Sequence, residues 1–173
     1  MATSVTAPPR PRALPTILGG GLLAGLLDGL DAIVYFGVKS GVSPSRIFHF
    51  IASGLIGIRA SIQLGWLGVL LGVILHFTIA VGAAAVFYLS ARKFPFLIRR
   101  PFLSGTIFGL GLYFFMNRVV VPLSAVPKNP NAVFSWIDLI SGFFAHIVLI
   151  GIPIALIARY SASSSPKYGL RVY

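Results

Sequence analysis

Apolar residues in this 173-residue chain do not alternate with polar ones; they run in long blocks. Four blocks, at residues 14–38, 62–89, 102–121 and 133–158, reach the ~20 residues that a helix needs to cross a hydrocarbon core. Helices satisfy every backbone N–H and C=O within one such segment. Barrel strands would instead show segments of about ten residues alternating in polarity. The second block is longer than a crossing requires, which predicts tilt or a partly interfacial end.

Between the first two blocks, Ser43 followed by Pro44 has the pattern of an N-cap and first helical position. Over residues 44–58, Arg46, His49, Ser53 and Gly57 fall on one helical stripe, and Ile47, Phe48, Ile51, Leu55 and Ile58 cover most of the rest. This segment is too short to span and too apolar to leave the membrane. It predicts an interfacial helix, with a re-entrant piece buried against the bundle as the alternative. His49, on the polar stripe, is expected to face solvent or lipid headgroups. The predicted fold is all-α: an integral-membrane four-helix bundle with one additional short interfacial or re-entrant helix. Its membrane domain covers residues 14–159, after a proline-rich disordered arm (1–13) and before a tail (160–173).

Composition agrees with the block pattern. Hydrophobic residues make up 57% of the chain and charged residues only 10%, with a mean hydropathy of +0.93. A soluble domain carries about 25% charged residues. There is no cysteine, which excludes disulfides and Cys-ligated metal centres. The net charge of +11 would suggest nucleic acid in a soluble protein. Here the Lys and Arg residues sit mostly between apolar blocks, where they set topology and meet anionic headgroups. No aromatic-basic patch or recognition-helix pattern supports nucleic-acid binding.

All three acidic residues lie inside predicted spans: Asp28 and Asp31 in the first, Asp138 in the fourth. An Asp or Arg at a span's centre costs about 2.5–3.5 kcal/mol on the insertion scale. Such residues face the bundle interior and pair, or line a polar path. The 1.5 Å rise per residue places Asp31, Asp138, Asn117 and Arg118 in one layer, roughly 5–10 Å below the outer ends of their helices. Asp28, His76 and His146 form a second layer near the midplane. Arg118 is expected to pair with Asp31 or Asp138, or to snorkel to the interface. Three carboxyl groups facing one intramembrane arginine leave at least one without a cationic partner.

Glycines recur at four-residue spacing (Gly21, Gly25 and Gly29; Gly68 and Gly72; Gly105 and Gly109). This predicts close helix seams, within the bundle or between protomers. Asp138, Ser141, Gly142, Ala145 and Leu149 share one face, with His146 at its margin. No soluble catalytic motif is present, so the chain is not expected to be an enzyme.

The stretches Gly25-Leu26-Leu27-Asp28-Gly29-Leu30-Asp31, Gly41-Val42-Ser43-Pro44 and His76-Phe77 resemble a small four-span bacterial membrane-protein family to which no activity is assigned. The resemblance implies the bacterial cytoplasmic (inner) membrane and transfers no catalytic or binding residue. Three functions fit the residues. The first is a small proton-linked transport or permeation protein using Asp28, Asp31 and Asp138. The second is a structural or accessory subunit whose polar groups fix packing. The third is a redox subunit holding b-type haem through His76 and His146. No cofactor or metal is otherwise expected. The expected partners are the lipid bilayer and either a second copy or other membrane subunits.

Nine basic residues fall on the side of the two chain ends and four on the other, with Arg118 within a span. The positive-inside rule then places both termini in the cytoplasm. A cytoplasmic reporter fused after Tyr173 should be active and a periplasmic one silent; the reverse would invert the orientation.

Overall fold

The computed structural model describes residues 10–128 and 133–163. In chain order the helices are α1 (Pro15–Ser40), α2 (Pro44–Ile56), α3 (Ile58–Gln63), α4 (Trp66–Lys93), α5 (Phe96–Arg99), α6 (Pro101–Leu123) and α7 (Trp136–Ser163). Four of them, α1, α4, α6 and α7, are long and apolar enough to cross a membrane. Among the described residues there is no strand. The fold is an all-α bundle with the architecture of a multi-pass membrane protein. Residues 1–9 and 164–173, where most of the expected arm and tail fall, lie outside the described residues.

Local chemistry sets the helix ends. Span α4 starts at Trp66 rather than at residue 62, because Gly65 (φ 54°) turns the chain after α3. Gly41 (φ 64°) similarly ends α1 in the left-handed conformation that glycine adopts without a Cβ clash. Span α7 starts at Trp136 rather than at residue 133. Ser135 is extended and its hydroxyl accepts the Asp138 N–H at 3.3 Å, forming an N-cap.

Glycine rows join the spans in pairs. Gly21, Gly25 and Gly29 of α1 lie against Val81, Phe77 and His76 of α4; a Cβ on Gly21 would sit 2.6 Å from the Val81 Cα. Gly105 and Gly109 of α6 lie against the backbone of α7, where a Cβ on either would sit 2.7 Å from a facing Cα. Helix α1 also packs on α7. The glycine rows of α1 and α6 are therefore used inside the chain. Gly68 and Gly72 of α4 instead receive the Ser61 and Phe48 carbonyls, so α2 and α3 pack across the start of α4.

Helix α2 differs from the expectation in one respect. Part of its polar stripe turns inward: Ser53 is fully buried and His49 Nδ1 is 3.0 Å from the Ser61 hydroxyl, whereas Arg46 stays exposed. His49 thus belongs to the seam between α2, α3 and α4 rather than to solvent or headgroups. The reason is the close approach at Gly68, which leaves the imidazole a hydroxyl partner across the turn.

The core fills the end of the bundle that carries the described chain ends, around Ala24, Ala84, Phe87, Ile154, Ala155 and Ala158. There the Thr16 and Ser161 hydroxyls meet at 3.0 Å, and the Arg12 N–H donates to Ser161 Oγ at 3.1 Å. Leu22, Leu26, Ile74, Phe102 and Ile140 point outward, the exposure that a hydrocarbon environment accommodates and water penalises.

These contacts predict an asymmetry among the glycines. Gly105→Leu should prevent recovery of folded protein in detergent, because overpacking backbone against backbone cannot relax. Gly82→Ala meets open space and should leave the thermal midpoint unchanged or raise it, since Ala favours helix by about 1 kcal/mol over Gly. Equal effects from the two substitutions would contradict this packing.

Candidate functional site

A polar cleft of about 520 Å³ lies between α1, α6 and α7 in the half of the bundle away from the described chain ends. On α1, Asp28, Asp31, Tyr35 and Lys39 recur at intervals of three and four residues and so share one face. Tyr113 and Asn117 enter from α6, and Asp138, Ser141, Gly142 and His146 from α7. The small residues of α7 leave the space: the Gly142 position abuts the Tyr113 ring, and Ala145 is buried beneath.

At the mouth, the Asp138 carboxylate pairs with the Lys39 ammonium and accepts the Tyr35 hydroxyl at 2.5 Å. This corrects the expectation that Arg118 would pair with Asp138 or Asp31. Lys39 lies in the last turn of α1 and Asp138 in the first turn of α7, so the two meet at the same level. Asp138 is thus shallow and exposed: it occupies the third position of a capped helix, where a carboxylate also faces the positive end of the helix dipole. Ser135 followed by Asp138 three residues later is the sequence signal for that start. Arg118 is exposed outside the cleft lining, and forms no ion pair among the described residues. Asn117 lines the cleft and donates from Nδ2 to the Tyr113 carbonyl at 2.9 Å. Asp31 lines the cleft half-buried, without an ion pair or hydrogen bond among the described residues.

The floor is built from three spans. Asp28 and His146 line the cleft and also a second cavity of about 270 Å³, which His76, Phe50, Ile51 and Gly54 complete beneath α2. Asp28 thus shares this second cavity with both imidazoles. Each imidazole is oriented by a backbone carbonyl. His76 Nε2 donates to the Gly25 carbonyl at 2.7 Å, and His146 Nδ1 donates to the Gly142 carbonyl at 2.9 Å. A carbonyl only accepts, so the basic nitrogens are Nδ1 of His76 and Nε2 of His146. The His146 ring packs edge-on against Tyr113 with centroids 5.4 Å apart, and His76 likewise against Phe77 at 5.4 Å.

Three segments of the spans are wound in wider, π-helical turns, Pro15–Gly19, Met116–Val120 and Ala145–Gly151, and the last two reach the cavities. Such turns recur where a helix must turn a side chain toward a site.

Of the sequence-predicted residues, the cleft and its floor bring together Asp28, Asp31, Asn117, Asp138, His76 and His146; Arg118 stays outside. Tyr35, Lys39, Tyr113 and Ser135 join them. The 28–31–35–39 spacing on one helix face carried that signal for Tyr35 and Lys39. His76 Nε2 is engaged by the Gly25 carbonyl, and the seam at Gly25 and Gly29 brings α1 directly against the ring. Among the described residues no group of three or more His, Asp or Glu is placed to hold a metal ion. No protein-family model, curated protein or solved structure matches the chain.

The mouth contact predicts unequal roles for the two cations near the cleft. Lys39→Ala should lower the thermal midpoint, and Asp138→Asn in the Lys39→Ala background should add little. Arg118→Ala should leave the midpoint unchanged. A larger loss from Arg118→Ala than from Lys39→Ala, measured by unfolding in detergent, would reassign the partner of Asp138.

Proposed function

We propose that the chain is a small proton-linked transport or permeation protein of the bacterial cytoplasmic membrane. Its termini are inside and its cleft opens to the outer face. The observation that carries this reading is the position of Asp28 and His146, the two residues that line both cavities. A carboxyl group and an imidazole that line both can exchange a proton with groups in either. Ionisable side chains at this depth are expensive, and they are kept where they line a path or relay protons. The proton enters along the cleft past Asp31 and reaches the Asp28 carboxyl. From there it passes to Nε2 of His146 or Nδ1 of His76, each ring held in the required tautomer by its carbonyl partner.

The opposite half of the bundle is filled by small residues and by Phe87 and Ile154. The cleft therefore opens to one side only, as in one state of an alternating cycle. The seven described basic residues on the α4–α6 loop and beside the described chain ends support the orientation with that end inside.

Asp28→Asn keeps the shape and hydrogen-bonding capacity of a neutral carboxyl but cannot shuttle a proton. In proteoliposomes carrying a pH-sensitive dye and an imposed pH gradient, it should lower proton flux at least about tenfold, the scale of a lost proton-transfer group. Its thermal midpoint should match that of the unmodified protein. Undiminished flux in a folded Asp28→Asn protein would reduce the cluster to a packing role and overturn the transport reading.

A further inference from the structure

Two features away from the cleft lie in line on one face of α4. The first is a pocket of about 350 Å³ lined by Arg10, Leu89, Arg92 and Lys93. The second is a groove of about 700 Å³ between α4 and α6, almost wholly apolar, lined by residues that include Ile79, Gly82 and Val86 of α4 and Gly111 and Phe115 of α6. Ile79, Gly82, Val86, Leu89 and Lys93 are spaced by three and four residues, so groove and pocket form one continuous stripe.

We infer that this stripe is a binding site for one anionic phospholipid, with its phosphate among Arg10, Arg92 and Lys93 and an acyl chain along the groove. Charge selects the occupant. The described ion pairs consist of Lys39–Asp138 alone, and the three acids of the chain lie in the other half of the bundle. Among the described residues no carboxylate therefore neutralises the three cations. Two of them are also held in place. Arg92 lies over the Tyr88 ring at 5.9 Å and Lys93 over the Phe94 ring at 5.6 Å. Arg10 lines the same pocket, two residues before Arg12, whose backbone N–H donates to Ser161 Oγ of α7. Basic pockets where helices meet the headgroup region are recognised sites for phosphate-bearing lipid heads.

The groove lies at acyl-chain depth. On α4 it runs from Val86 to Ile79, roughly 10–20 Å of helix from Lys93, toward the midplane of a ~30 Å core. A Cβ on Gly82 or Gly111 would meet nothing within 4 Å, so the floor is open where a chain would lie. The rings of Phe87 and Phe108, 5.2 Å apart, bridge α4 and α6. The groove is therefore a furrow between two helices that touch near one end, not a gap that their packing closes.

The test uses the full chain, purified in a neutral maltoside detergent and stripped of lipid. Phosphatidylglycerol, phosphatidylcholine, glycerol phosphate and inorganic phosphate are titrated separately. Bound lipid per chain is counted by native mass spectrometry, and the thermal midpoint is followed in parallel. One phosphatidylglycerol should be retained per chain in preference to phosphatidylcholine. The combined Arg10→Gln, Arg92→Gln and Lys93→Gln variant should bind it about 100-fold more weakly, as expected for three basic contacts. Gly82→Leu, which fills the groove without touching the pocket, should weaken both lipids. Arg99→Gln with Arg100→Gln, at the same end but outside the pocket, should change neither.

Equal retention of the two lipids would overturn the inference, as would equal losses from the pocket and control variants. Stabilisation by inorganic phosphate or glycerol phosphate matching that by phosphatidylglycerol would assign the pocket to a free phosphate and remove the lipid. Circular dichroism of each variant separates loss of binding from loss of fold.

Discussion

Backbone-to-backbone contact at glycine is the constraint from which the remaining geometry follows. Inside a membrane the hydrophobic effect does not pull helices together, so close packing must do so. The row Gly21, Gly25 and Gly29 brings α1 onto α4, and Gly105 with Gly109 brings α6 onto α7. These seams use up the smooth faces of α1 and α6. The two helices are then held apart, and their polar and small-residue faces border the cleft. Helices α4 and α6 meet through Phe87 and Phe108 rather than through glycines, so a furrow opens between them. Cleft and furrow are both spaces that the glycine seams leave unfilled.

The same seam sets the chemistry of the cleft floor. Asp28 lies between Gly25 and Gly29, at the edge of the α1–α4 contact. His76 reaches the Gly25 carbonyl because no Cβ stands in its way. A larger residue at position 29 would displace the ring and, with it, the nitrogen that faces the cavity. The packing role of the glycines and the orientation of the imidazole are thus one interaction seen from two sides.

Charge is divided between the two ends of the bundle. The three acids line the cleft, whereas Arg10, Arg12, Arg92, Lys93, Arg99, Arg100 and Arg159 crowd the other end. Lys39, Arg46, Arg59, Arg118 and Lys128 lie in the half that holds the cleft, and of these Lys39 pairs with Asp138. A cleft rich in hydrogen-bond acceptors and a terminus-bearing end rich in donors suit different ligands. This is why the proposed proton path and the proposed lipid site lie on different faces.

The spans and their helical character were legible in the sequence because a hydrocarbon core imposes length and apolarity on each segment separately, independent of its neighbours. The glycine rows were legible as seams for a similar local reason: four-residue spacing places them on one face. Which helix each row meets was not legible, because that depends on the positions of all four helices together. Depth along a helix groups Asp28, His76 and His146, which line one cavity. It failed for Asp138 because the start of α7 depends on the Ser135 cap, and the apolar block begins earlier than the helix. Arg118 shares a level with the acids but not a direction. Depth is one coordinate of a side chain and azimuth is the other. By itself the sequence determined the elements, the costly polar residues and the crowding of basic charge at one end. Only the tertiary structure decided that Lys39 meets Asp138, that His49 turns inward, and that Asp28 and His146 line two cavities at once. Each of those is set by how helices rotate about their axes when they pack.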